Sequence, residues 1–150
     1  MTHSAPETIS IATGDHQFIV ADHWPGDATP VILAHGGGQT RHSWGGTAAT
    51  LAAKGHRVAS IDLRGHGDST WAPDGDYSMG AYCGDALRIA EWIRHDNPTT
   101  HIAWVGASLG GMTGLHVNDA APAWFSSLTL VDITPRPAAK GVSRILEFMA

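Results

Sequence analysis

Gly106-Ala107-Ser108-Leu109-Gly110-Gly111 lies between an apolar run, Ile102–Val105, and a helical candidate spanning 109–120. A serine on such a sharp strand-to-helix turn is held in a strained conformation that exposes its hydroxyl. Its neighbours must be small, because the turn folds the strand end onto the helix start. Gly106 and Gly110 meet that demand, and Gly111 lets the helix pack close to the sheet. The N–H of Leu109 would face a developing oxyanion, helped by the positive end of the helix dipole. The competing reading is a mere tight turn: with 18 glycines, G-x-S-x-G arises by chance in roughly one such chain in seven. The strand–turn–helix setting favours Ser108 as a nucleophile.

Moving outward, strands and helices alternate. Thr8–Thr13 and Gln17–Trp24 form a hairpin around Gly14-Asp15. Pro30–Ala34, Arg57–Ile61, Ile102–Val105 and Ser127–Val131 are short runs apolar on both faces, as interior strands of a parallel sheet require. Helices are expected at 43–54, 79–95 and 109–120. In the second, Leu87, Ala90, Trp92 and Ile93 make an apolar side, and Asp85, Arg88, Arg94 and Asp96 a wet one. The fold class is α/β, a doubly wound, mostly parallel sheet. Pro73-Asp74-Gly75-Asp76 reads as a surface turn within a single domain, 1–150.

Open parallel sheets carry their sites at the carboxyl ends of the strands, and two more glycine-rich segments fall there. His35-Gly36-Gly37-Gly38-Gln39 follows the run at 30–34. Its glycines can turn backbone N–H groups into the site, with Gly37 as the natural second oxyanion donor and Gly38 as a candidate to join it. A flexible loop or a phosphate cradle is the alternative; no Gly-Lys-Ser/Thr ending and no G-x-G-x-x-G supports a nucleotide site. Asp62-Leu63-Arg64-Gly65-His66-Gly67-Asp68-Ser69 follows the run at 57–61 and reads as a polar network that fixes its loop, so His66 is not the expected general base.

Composition narrows the class. Hydrophobic residues make up 43% and charged residues 15% of 150 positions, as in an ordinary globular domain. The net charge of −5 leaves no basic footprint for nucleic acid. One cysteine, Cys83, cannot form an internal disulfide and suits a reducing cytoplasm. No apolar stretch approaches the roughly 20 residues of a membrane span, and the N-terminus does not read as a signal peptide. The histidines lack a metal-ligand spacing, so no metal and no cofactor is expected.

"HGGGQTRHSW", "DLRGHGDS", "GASLGG" and "LVDITPR", in this order, resemble the α/β-hydrolase superfamily over essentially the whole chain, closest to small cytoplasmic esterases, enol-lactone hydrolases and perhydrolase-type enzymes. The resemblance implies Ser108 as nucleophile, the N–H groups of Leu109 and Gly37 as oxyanion hole, and acyl transfer to Ser108 followed by hydrolysis. The implied partner is a small-molecule ester or lactone. Serine rather than aspartate at the turn separates the chain from dehalogenase and epoxide hydrolase relatives. Family members run Ser, then Asp/Glu, then His, whereas this chain ends at Ala150 in an opening helix. It therefore reads as an N-terminal part, lacking the last strands, the usual histidine and most of the cap, with 138–150 as the start of the cap.

Within 150 residues the substitutes are few. Asp132 ends the last strand and reads first as a loop-fixing carboxylate, second as the acid. His116 sits past Ser108 on the same helix, His95 and His101 lie near the opposite end of the sheet, and His35 and His42 flank the oxyanion loop. A rebuilt triad is not expected. Trp44, Trp71 and Met112 are candidates to line a pocket, with core or surface roles equally open. The strand at 127–131 would leave an apolar sheet edge open to self-association. Two functions follow: a serine hydrolase with an incomplete triad, or a non-catalytic α/β-hydrolase-like domain that binds a ligand or partner.

Overall fold

The computed structural model describes residues 5–14, 16–136 and 138–149; Asp15, in the expected hairpin turn, lies outside them. The order is β1 (Glu7–Gly14), β2 (Gln17–Trp24), β3 (Ala28–Ala34), a 3-10 turn (Arg41–Trp44), α1 (Gly45–Ala53), β4 (His56–Ile61), α2 (Met79–Arg94), β5 (Ile102–Ala107), α3 (Leu109–Ala120), a 3-10 turn (Pro122–Trp124), β6 (Phe125–Val131) and α4 (Ala139–Met149).

One six-stranded sheet runs β1-β2-β4-β3-β5-β6. The β1–β2 and β2–β4 pairs are antiparallel, and β4, β3, β5 and β6 are parallel. The α/β fold is thus the mostly parallel, doubly wound one expected. In β3, Pro30–Ala34 are all buried, because that strand has sheet neighbours on both edges and helices over both faces. Over one face, Ala48 of α1 packs with Trp24, Val31, Leu33 and Val58. Over the other, Ile89, Ala90 and Ile93 of α2 and Val117 of α3 pack with Ile32, Ile61 and Trp104.

One charge departs from its expected place. Asp85 of α2, read as part of the wet side, is 4% exposed. Arg64 grips it through Nε and Nη2 at 2.6 and 2.7 Å, so the carboxylate is buried with both oxygens bonded. The helix starts at Ser78, whose Oγ accepts the Ala81 N–H at 3.2 Å.

The α3 helix lies close against the sheet. A Cβ on Gly110 would collide with the Ala34 carbonyl, and one on Gly106 with the Gly110 carbonyl. Trp104, buried beneath the helix, donates its indole N–H to the Gly110 carbonyl at 3.0 Å. At the other margin, among the described residues, β6 pairs only with β5. Ser127, Thr129 and Val131 on one face of β6 are exposed.

Candidate active site

The three glycine-rich segments meet at the carboxyl ends of β3, β4 and β5. Ser108 joins β5 to α3 with φ 44° and ψ −108°. A non-glycine residue there stores backbone strain of about 1–3 kcal/mol. Three bonds hold the turn: Ser108 N–H to the Val131 carbonyl at 3.0 Å, Met112 N–H to the Ser108 carbonyl at 2.9 Å, and Gly110 N–H to the His35 carbonyl at 3.1 Å. Ser108 is exposed.

The loop after β3 comes alongside. A Cβ on Gly36 would lie 3.5 Å from Ser108 Cβ. Gly36 N–H donates to Gln39 Oε1 at 3.0 Å, and Gln39 N–H returns a bond to the Gly36 carbonyl at 3.1 Å. Among the described residues, the N–H groups of Gly37 and Leu109 have no internal acceptor, and the Ser108 hydroxyl has no hydrogen-bond partner. Leu109 adjoins Ser108 in the chain and Gly37 follows the Gly36 that abuts it, so both amides belong to the backbone next to that serine.

The loop after β4 is a polar network, with Asp62 fully buried at its centre. Its carboxylate accepts the Arg41 N–H at 2.6 Å, the Arg41 guanidinium, and the Asp68 N–H at 3.0 Å. Arg41 also reaches Asp22 at 3.0 Å and Asp68 at 2.8 Å. Burial opposes the Arg41 charge, but bonds to Asp68, Asp22 and Asp62 outweigh it and hold its pKa above the ordinary arginine value. A Cβ on Gly67 would collide with the Asp62 carboxylate. Arg41 was not singled out from sequence; the only signal was an arginine just beyond three glycines.

Among the described residues no candidate base is hydrogen-bonded to the serine. His35 is fully buried: its Nε2 accepts the Leu63 N–H at 3.0 Å and its Nδ1 faces the Gly36 carbonyl at 2.7 Å. Burial lowers its pKa, partly countered by the Gly36 bond. His42 is exposed and stands 3.7 Å from Asp22. His95, His101 and His116 are exposed. Asp132 is exposed at φ 53°, and among the described residues its carboxylate has no hydrogen-bond or ion-pair partner. Trp71 is 72% exposed, Trp44 packs against the smaller core cluster, and Met112 is half-buried. Among the described residues no three His, Cys, Asp or Glu are grouped to hold a metal, and no helix is long and apolar enough to cross a membrane.

Residues 29–148 match the family model described as the alpha/beta hydrolase fold. The chain is 38% identical over 117 residues to an esterase of Mycobacterium tuberculosis, covering 78% of this chain and 37% of that protein. It is 34% identical over 117 residues to a putative carbamate hydrolase of Variovorax paradoxus, covering 78% and 42%. An α/β hydrolase of Novosphingobium aromaticivorans superimposes with a TM-score of 0.83 at 24% identity, over 97% of this chain and 50% of that one. The chain spans about two fifths of the length of the curated relatives it matches. The fold, the paired glycine loops and these matches agree: the chain belongs to the α/β-hydrolase fold family.

Proposed function

We propose that Ser108 is the nucleophile of a serine hydrolase of small carboxylic esters or lactones. One observation carries the reading: Ser108 is an exposed serine strained to φ 44° at the strand-to-helix turn, beside two amides without internal acceptors. In the proposed reaction Ser108 Oγ bonds to the ester carbonyl carbon, and the Leu109 and Gly37 amides receive the oxyanion. The alcohol leaves with a proton, and water then releases the acid from the acyl-serine. The esterase relative supports the substrate class. Among the described residues no histidine is hydrogen-bonded to the Ser108 hydroxyl, so Ser108 and the two amides carry the assigned chemistry. We assign the segment at 138–150 to the opening of a cap.

A second reading rests on that same isolated hydroxyl: a non-catalytic α/β-hydrolase-like domain that binds a ligand or partner. Self-association through the β6 edge belongs with either reading, as does a reducing cytoplasm for the lone thiol of Cys83. A fluorophosphonate probe separates the two. Labelling that Ser108→Ala abolishes is expected; folded protein that never labels overturns the hydrolase reading for this chain and favours the binding domain.

A further inference from the structure

Two imidazoles cross-link the loops after β3 and β4 in opposite senses. His35, from the first loop, accepts the Leu63 N–H of the second on Nε2 at 3.0 Å. His66, from the second, accepts the Gly38 N–H of the first on Nε2 at 3.2 Å. A backbone N–H can only donate, so each Nε2 must carry its lone pair and each Nδ1 its proton. The other contacts agree: His35 Nδ1 lies 2.7 Å from the Gly36 carbonyl and His66 Nδ1 lies 3.0 Å from the Arg64 carbonyl. The rings stand 4.9 Å apart, inclined at 57°.

We propose that His35 and His66 form a reciprocal latch in which His66, by holding the Gly38 amide, is a positioning residue for the neighbouring Gly37 amide. This rests on the hydrolase reading for its consequence, not for its geometry. His66 touches no reacting atom; it fixes the loop whose Gly36 abuts Ser108. Protonating either ring would turn an acceptor into a donor aimed at an N–H, and would bring positive charge against its partner ring. The charged groups around the pair are Asp62, its partners Arg41 and Asp68, and Arg64, whose guanidinium is turned to Asp85.

The test uses the whole 150-residue chain. Nitrogen-15 spectra of the imidazoles at neutral pH should show both rings protonated at Nδ1 and bare at Nε2; an Nε2–H tautomer at either ring overturns the latch. Fluorophosphonate labelling of His66→Ala should slow by roughly tenfold to a hundredfold, the scale of a misplaced catalytic group. His66→Gln, which keeps an acceptor, should recover most of that rate. Equal labelling of parent and His66→Ala, with both folded, refutes the positioning role. If the parent does not label, the hydrolase reading fails separately, and hydrogen exchange at the Gly37 and Gly38 amides decides. Faster exchange in His66→Ala than in His66→Gln upholds the latch, and equal exchange overturns it.

Discussion

The amide of Ser108 donates to the carbonyl of Val131 at 3.0 Å, fastening the strained turn to the last residue of the edge strand. Ser108 cannot relax without breaking that bond, which is how φ 44° persists at a residue with a Cβ. Ser108→Gly is therefore expected to stabilise the fold by about 1 kcal/mol, relief of strain exceeding the added chain entropy. Ser108→Ala, which keeps the Cβ, should be close to neutral. Urea midpoints of the three proteins check this; a destabilised glycine variant would show that the turn stores no strain.

The close seating of α3 predicts opposite results at two glycines. Gly110→Ala would drive a methyl into the Ala34 carbonyl, and overpacking of this kind costs about 1–3 kcal/mol. Gly84 lies inside α2 with open space around it. Gly84→Ala should stabilise by up to about 1 kcal/mol. Denaturation curves that gave both variants the same sign would contradict the packing described.

Asp62→Ala should be severe. It leaves the Arg41 guanidinium buried with only Asp22 and Asp68, and breaking a buried pair from one side costs about 3–5 kcal/mol. The exposed Arg88–Glu91 pair is the contrast, worth about 0–1 kcal/mol. A loss below about 1 kcal/mol in Asp62→Ala would mean the network is not structural.

Acid should weaken the fold through the buried imidazole of His35 and the half-buried one of His23. Burial lowers the pKa of His35; burial first, then the nearby Arg57, lowers that of His23. In the unfolded chain each titrates near the ordinary value of 6.5. The unfolded state therefore takes up protons first as pH falls. Their stabilising contribution is complete above that value and is lost as pH drops through the lowered folded values. The limiting slope is about 1.4 kcal/mol per pH unit for each. Urea unfolding across about pH 5 to 8 measures it; stability rising toward acid would reverse the sign.

The free margin of β6 predicts concentration-dependent association. A strand with unpaired N–H and C=O groups and apolar side chains invites another strand, and lysine on the edge opposes it. Sedimentation should show dimer or larger species that Thr129→Lys diminishes. A parent that stays monomeric as concentration rises would remove the prediction.

The elements were legible because interior strands demand unbroken apolar runs: Pro30–Ala34 could hardly be anything else. The meeting of the three glycine loops was also legible, since parallel strands deliver their ends to one rim. What escaped was long-range charge pairing. Asp85 carries a surface label in a helical pattern, and only the arrival of Arg64 from the β4 loop buries it. Arg41 is hidden in the same way, since nothing local says that it will meet Asp62. A period of 3.6 residues reports the face of a helix, not the partner waiting there.

Trp104 offers a last consequence. Its indole ends on the Gly110 carbonyl, in the first turn of the helix that follows Ser108. Any lifting of that helix must expose the ring or break its hydrogen bond. With Trp104 kept as the sole tryptophan, the molecule would carry an optical gauge beneath the serine: a blue-shifted emission reports a seated turn, and a red shift reports its release before the rest of the sheet gives way.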